Sequence, residues 1–448
     1  MISKNTVKRF IWVSGLVLLL LVPIILRPTD TFGWALLYLN FAILLLIPTI
    51  RRDKGVATIM WFLLIFHEIV ALIEAYFFLL PYILDARGFE LVAKALALHP
   101  NTPIPQGGGA NIYVLILGTI YRLFYPSLLF GEELSILAFI LSCIILIKLM
   151  DLLELKKHRP YVIALYGFLP MQIMLSSLVM REQWEALFFM LSFYWGLRYH
   201  LKSEKIGVLL CAIFGIAMGL LHYALMIYAF FFIPFFLFWK INDSQKSNSA
   251  SVLQKSLIAG ILLFVSLLIG KHILTSVLHS QIKSLNPIYL FKYAIKVRSI
   301  PYRIGKTSYS VKIQTSSLSG FFLSALLSFV YFLFAPFPWM VKSLSDSYAL
   351  FESCLRFLLV LFSFSSWRYA KGITRRVLGF MLLTYLSMNF MWSIGVNNYG
   401  TSIRHLMVSY WILVVVGGPS FIHFLLRVIK APLHRSSDST LIRNLPIS

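Results

Sequence analysis

The stretch "ATIMWFLLIFHEIVALIEAYFFLLPYILDARGFELVAKALALHP" (57–100) changes character partway along. Residues 57–83 are apolar except for His67, Glu68 and Glu74, and are long enough to cross roughly 30 Å of hydrocarbon. From Asp85 the pattern is different: Phe89, Val92 and Leu96 fall on one stripe with charges between them, as in an amphipathic helix lying at a membrane surface. The chain therefore leaves the bilayer near residue 84 and runs along it.

The same apolar run length recurs from residue 10 to residue 427. Candidate spans fall at 10–26, 33–50, 57–83, 133–150, 161–179, 183–197, 206–221, 223–239, 256–270, 319–337, 350–366, 377–396 and 406–426. Of the 448 residues, 59% are hydrophobic, 16% aromatic and 13% charged, which leaves no room for a soluble domain. Backbone polar groups must pair within the chain in lipid, and the alternation of a membrane barrel strand is absent. The expected fold is all-α: one integral membrane domain, residues 1–448, forming a bundle of about eleven to thirteen spans with surface-lying helices on its outer face.

The net charge of +23 is spread over many short loops and not gathered on one face, so membrane topology accounts for it better than nucleic acid. "RRDK" (51–54), "ELKKHR" (154–159), "RYHLKSEK" (198–205) and "KINDSQK" (240–246) all fall on the starting side, which the positive-inside rule makes cytoplasmic. The basic amino end, with no small-x-small cleavage site, reads as an uncleaved first helix. Two longer segments, 84–132 and 271–318, then face the exterior or periplasm of a plasma or inner membrane. Basic "WRYAKGITRR" (367–376) breaks this count, so one segment is expected to depart from it. Either Tyr113–Leu129 crosses instead of lying at the surface, or "FLFAPFPWM" (332–340), with Pro336 and Pro338, makes a re-entrant turn; the second is favoured. Cys143, Cys211 and Cys354 each lie in an apolar run and are expected to be buried thiols without a disulfide.

Several polar groups interrupt this pattern on the outer side. Asp85 opens the first outer loop beside Arg87. It suits either a helix cap or a carboxylate that takes a proton from an acceptor hydroxyl. Glu90 points elsewhere on that helix, as a solvated group or a supporting partner. "MREQWEA" (180–186) puts Arg181, Glu182 and Glu185 at a turn between spans, where charge is costly and either functional or self-paired. His222 lies at the next outer turn. The loop "KHILTSVLHSQIKSLNPIYLFKYAIKVRSIPYRIGKTSYSVKIQ" (271–314) holds no acid and offers Arg298, Arg303 and Lys306 to a phosphate or to anionic lipid. "GVNNYGTSIRHLMVSYW" (395–411) brings Asn397, Asn398, Arg404 and His405 to the start of the last span, as sugar or phosphate ligands or as an interfacial anchor. No Asp-x-Asp pair, phosphate loop, dinucleotide fingerprint or His-x-x-x-His helix occurs.

An outer Asp after an early span, "FELVAKALA" (89–97), "IYVLILGTIYRLFYPSLLFGEELSILAFIL" (112–141) and "LYGFLPMQIMLSSLVMREQWEALFFMLSFYWGLRY" (165–199) together resemble the GT-C class of membrane glycosyltransferases. These include the protein mannosyltransferases and aminoarabinose transferases that use polyprenyl-phosphate-linked sugars. The resemblance covers roughly residues 60–320. It implies Asp85 at the catalytic base position, Glu182 at the outer acidic turn, a polyprenyl-phosphate-linked donor, and a glycan or lipid acceptor. A divalent cation such as Mg or Mn would assist, although the sequence does not require one. The segments at 332–340 and 397–405 look more like exopolysaccharide-cluster proteins, so a polymerase of lipid-linked repeat units is the alternative. A lipid-linked glycan transporter is the third; it would need polar residues deep in several spans, and here His67, Glu68 and Glu74 stand out, with Arg or Lys of a neighbouring helix as expected partners.

Overall fold

The computed structural model describes residues 25, 27–80, 84–103, 110–222, 225–226, 229, 307–309, 311–314 and 316–430. The expected spans at 10–26, 223–239 and 256–270 lie largely or wholly outside these residues, as do Arg298, Arg303 and Lys306. Among the described residues the fold is all-α; the one extended pairing is a bridge between Ser308 and Asn398.

In chain order the helices are α1 (Thr31–Leu46), α2 (Lys54–Phe77), α3 (Leu84–Leu98), α4 (Ala110–Phe124), α5 (Leu128–Leu152), α6 (Arg159–Gly167), α7 (Pro170–Ser176), α8 (Glu182–Lys202), α9 (Ile206–Leu221), α10 (Leu318–Phe334), α11 (Leu344–Tyr369), α12 (Gly372–Gly395), α13 (Tyr399–Val416) and α14 (Gly418–Lys430). Among the described residues, five stretches are long and apolar enough to cross a membrane: Pro28–Leu46, which contains α1, and α2, α5, α11 and α12. The α13–α14 pair, bent by 60°, passes the same test as one broken span.

Local signals set the helix ends. Asp53 accepts from the Gly55 and Val56 amides to start α2, Ser127 from Phe130 to start α5, and Ser343 from Asp346 to start α11. The expected span at 161–179 is broken instead. Pro170 has no amide hydrogen to continue α6, so the helix stops at Gly167 and restarts as α7. α5 begins at Leu128, several residues before the expected 133, which carries Glu132 and Glu133 into the bundle.

Exposed side chains form an apolar girdle: Phe62, Ile65, Phe66 and Ile69 on α2, Leu323, Leu326 and Leu327 on α10, Phe357, Leu358 and Leu361 on α11. In water such a surface would drive aggregation; in lipid it is the natural outer face. Cys354 belongs to this girdle, not to the interior as expected, because it lies on the outer side of α11 near Phe351 and Phe357. Cys143 and Cys211 are buried free thiols. The most enclosed helices are α5 and α13, and Trp411 of α13 packs edge-on against Phe189 and Phe193 of α8.

Hydrogen bonds and ion pairs sort the helix ends into two faces. One holds the end of α2, helices α3 and α4, the starts of α5 and α8, the end of α9 and the start of α13, joined by Arg87–Glu74, Arg404–Asp85, Arg404–Glu182 and Arg181 to the Leu221 carbonyl. The start of α11 joins it, because the Tyr399 hydroxyl donates to Asp346 at 2.6 Å. At the opposite face Arg159 pairs with Asp53 and Asp151, and α14 packs on α6. Residues 51–54, 154–159, 198–205 and 367–376 all lie at this opposite face, so the basic loops of the described residues share one side.

The expected re-entrant turn at 332–340 is a correction. Pro336 and Pro338 end α10, and 335–343 is a plain connection to α11 at the Asp85 face. The segment that does not cross lies just before it. At that face the Tyr309 amide donates to the Asn397 carbonyl, and its hydroxyl donates to that of Val396. The chain then runs inward beside α10, stacking Tyr309 near Tyr331 and giving the Gln314 amide to Ser324. Ser328 bonds the Ser393 carbonyl, so α10 and α12 rise together and Leu318 stands beside the middle of α12. α10 thus starts at about the mid-depth of α12 and not at the basic face, which removes the topological conflict posed by "WRYAKGITRR".

Two outcomes are expected. In a background lacking Cys354, single cysteines at Lys94 and Ser345 should react with a membrane-impermeant thiol reagent from the same side, and a cysteine at Lys371 from the other. A Cβ at Gly417 would meet the Leu359 carbonyl at 2.5 Å and the Ser363 amide at 3.0 Å, both backbone atoms that cannot rotate away. Gly417→Val should therefore force α11 from α13 and cost about 1–3 kcal/mol, read as a lower unfolding temperature in detergent.

Candidate functional site

α3 and α4 pack against each other on the Asp85 face. Ala86, Phe89, Ala93 and Leu96 of α3 are buried, and Phe89 meets Tyr113 of α4 edge to face at 5.3 Å. α3 is the helix expected from the stripe of Phe89, Val92 and Leu96, and it holds Asp85 in its first turn. The Asp85 side chain remains 46% exposed, reaching toward solvent from a fixed backbone.

Arg404 is the centre of the site. Its Nη1 lies 2.6 Å from Asp85 Oδ2 and its Nε 2.9 Å from Glu182 Oε1. Its side chain is 14% exposed and that of Glu182 is fully buried, so the guanidinium is held between an inner and an outer carboxylate. The last span was expected to open at 406; the helix begins at Tyr399, capped by Asn398, and Arg404 and His405 therefore lie within it. α3, α8 and α13 meet at this one group.

A second layer lies behind it. Arg181 pairs with Glu185 at 3.3 Å and reaches the Leu221 carbonyl at 3.4 Å. The guanidinium of Arg181 also lies 5.7 Å from the Phe89 ring. His222 Nδ1 is 4.0 Å from Glu185 Oε1. Its ring lies 5.5 Å from that of His405, and Trp392 stacks on His405 at 4.1 Å. Arg181–Glu185 thus realises the self-paired turn, while Glu182, one residue from Arg181, turns to Arg404 instead.

The other expected residues sort clearly. Arg87 pairs with Glu74 at 3.3 Å and covers the Phe78 ring, holding the exit of α2 to α3. Asn398 accepts from the Thr401 amide at 3.2 Å and from Thr307 Oγ1 at 2.6 Å, so its amide oxygen fastens the 307–309 segment to α13. The carbonyl of Asn397 accepts from Tyr309 in the same junction. Glu90 is buried rather than solvated, because the face it occupies turns toward Tyr121 and α5. Burial raises its carboxyl above the usual range, against lowering by Lys94 and Arg87.

Glu68 was expected to pair with a basic neighbour and does not: it faces Glu133. His67 is engaged by Ser176 at 2.5 Å and the Gly167 carbonyl at 3.0 Å, and it stacks on Phe139. Sequence reasoning also passed over Trp392, Glu132, Glu133 and Arg356. Trp392 carries no signal in the sequence. Glu132 and Glu133 were visible as acids beside an apolar run, and Glu352 and Arg356 as charges one turn apart within one.

A divalent cation does not fit between the two leading carboxylates. Arg404 already supplies the positive charge that bridges Asp85 and Glu182, and no three His, Cys, Asp or Glu among the described residues lie close enough to hold a metal. The group can position a carboxylate at the membrane surface, and can offer guanidinium hydrogens to an anion that competes for Arg404.

Glu182→Gln leaves Arg404 with its outer partner alone and should destabilise the protein by about 3 kcal/mol. The Glu182→Leu, Arg404→Met double variant should lose less than the sum of its single changes, as thermal unfolding in detergent will show. For Glu90 the sign is set by its raised value: the folded state binds the proton more tightly, so its contribution to stability is present in acid and is lost as pH rises through the folded value. Glu90→Gln should therefore melt higher than the parent at alkaline pH and match it in acid. No protein-family model, curated protein or solved structure matches the chain.

Proposed function

We propose that the chain is a membrane glycosyltransferase that moves a sugar from a polyprenyl-phosphate-linked donor to a glycan or lipid acceptor at the Asp85 face. The observation that carries this reading is the meeting of Asp85, Glu182 and Arg404 at one solvent-reachable point of the bundle. Asp85, Arg181, Glu182, His222, Arg404 and His405 come from four distant stretches of sequence and gather there, with Arg87 and Glu90 on the same helix as Asp85.

The basic loops of the described residues lie at the other face, so the positive-inside rule puts that face in the cytoplasm and Asp85 toward the exterior or periplasm. A polyprenyl donor fits such a site, since its lipid tail stays in the bilayer while its phosphate and sugar stand at the surface. Asp85 accepts the proton of the acceptor hydroxyl as that oxygen bonds to the anomeric carbon. The bond from the anomeric carbon to the phosphate oxygen breaks, and the electron pair leaves with the phosphate. Charge grows on that phosphate, where Arg404 stabilises it; Glu182 keeps the guanidinium in place after Asp85 is engaged. A single displacement of this kind inverts the anomeric configuration.

With purified protein and radiolabelled polyprenyl-phosphate hexoses and pentoses in detergent, Asp85→Asn should lower transfer by roughly 10²–10⁴-fold at unchanged expression. Arg404→Lys keeps the charge but not the fork, and should lower kcat more than it raises KM. Full activity of Asp85→Asn would overturn the assignment, and a product of retained configuration would overturn the single displacement.

A further inference from the structure

Away from Asp85, three helices bring oxygen atoms together inside the bundle. Asn40 of α1, Glu68 of α2 and Glu133 of α5 are all buried, with exposures of 0%, 3% and 0%. The Asn40 amide nitrogen donates to Glu133 Oε2 at 2.9 Å and to the Glu133 carbonyl at 3.3 Å, which ties Asn40 to the Glu133 carboxylate. The Glu68 carboxyl lies against that of Glu133, within hydrogen-bonding reach. Asn40 Oδ1, both Glu68 oxygens and Glu133 Oε1 receive no hydrogen bond from the chain.

Among the described residues, no donor satisfies these oxygens. His67, next to Glu68, is turned to Ser176 and Gly167. Glu132, next to Glu133, adds a further acid, and its own surroundings are Glu74, Arg87 and Glu90. Among the described residues no Lys or Arg pairs with Glu68 or Glu133. Two carboxylates in contact at low dielectric repel strongly and cannot both stay charged without an intervening positive charge. An unpaired buried acceptor is costly as well, and Asn40 Oδ1 cannot be relieved by protonating a neighbour unless that proton is directed at it.

We propose that Asn40, Glu68 and Glu133 form an exchangeable binding site for one small monovalent cation, a proton or a sodium ion. The donor set favours such an ion over a divalent one. Calcium takes six to eight oxygens and magnesium a near-ideal octahedron, more than two carboxylates and one amide supply, whereas a single positive charge is enough to relieve the contact of two acids. The site lies inside the bundle, below the Asp85 face. Glu132 is adjacent in sequence to Glu133, and Glu74, fewer than two turns beyond Glu68 on α2, is tied to Arg87 of α3. The site is independent of the glycosyl-transfer reading and uses none of its residues in binding the ion.

The test is infrared difference spectroscopy of the full chain in lipid nanodiscs, with sodium chloride or N-methylglucamine chloride at equal ionic strength. In the sodium-free buffer at neutral pH, the parent should show a protonated-carboxyl absorption that Glu68→Gln loses. If sodium removes that absorption and raises the unfolding temperature of the parent but not of Glu68→Gln, sodium exchanges for the proton. If sodium changes neither, the proton alone is the ion. Asn40→Ala retains both acids and should shift the position of the absorption, which keeps the test open if Glu68→Gln does not fold. A carboxyl absorption that is the same in the parent, Glu68→Gln and Asn40→Ala, together with no response to sodium, would overturn the proposal.

Discussion

A charge inside a bilayer has to be answered by another, and Arg404 is where this chain meets that requirement most openly. The guanidinium lies between Asp85 of a surface helix and Glu182 at the head of a buried one. Removing either partner of a buried pair is far more damaging than removing both, because the survivor keeps its desolvation cost. This single group therefore fixes α3, α8 and α13 relative to one another. Its three helices also carry, or pack against, Arg181, Glu185, His222 and His405, so the geometry of the whole face follows from it.

The interior divides its polar groups in two ways. At the Asp85 face, cation and anion alternate: Arg87 with Glu74, Arg404 with Asp85 and Glu182, Arg181 with Glu185. Between α1, α2 and α5, carboxyl faces carboxyl with an amide beside them. The first arrangement holds helices in register and leaves Asp85 reachable. The second leaves an unmet demand for positive charge, which an ion from solvent is suited to meet. Neither involves the apolar girdle, which serves only to keep both in the membrane.

Much of this was legible in residue order. The helical membrane fold followed from run length, and the surface helix from the spacing of Phe89, Val92 and Leu96. The gathering of Asp85, Glu182 and Arg404 was suggested only by each lying near a span end; which carboxylate takes which guanidinium depends on helix rotation, which spacing does not fix. The break at Pro170 was visible and was read through, because the flanking residues stay apolar. The misplaced re-entrant turn has a different cause. Pro336 and Pro338 announce a turn, yet two helices meeting at a surface need a turn as much as a re-entrant loop does. The true inward segment begins with Thr307 and Tyr309, whose partners lie in the 396–398 turn ahead of α13, about ninety residues away, as with Thr307 and Asn398. Such long-range pairing leaves no local mark.

The 60° bend at Gly417 has a mechanical meaning beyond close packing. α14 is amphipathic, with Phe424, Leu425 and Val428 exposed along it, and it packs on α6 at the basic face. Packed on α6, α14 anchors the basic-face end of α13, and the 18 residues of α13 extend about 27 Å from that anchor, with Arg404 near the opposite end. The height at which one guanidinium meets two carboxylates is thus set from the other face of the bundle, by the length of a single helix.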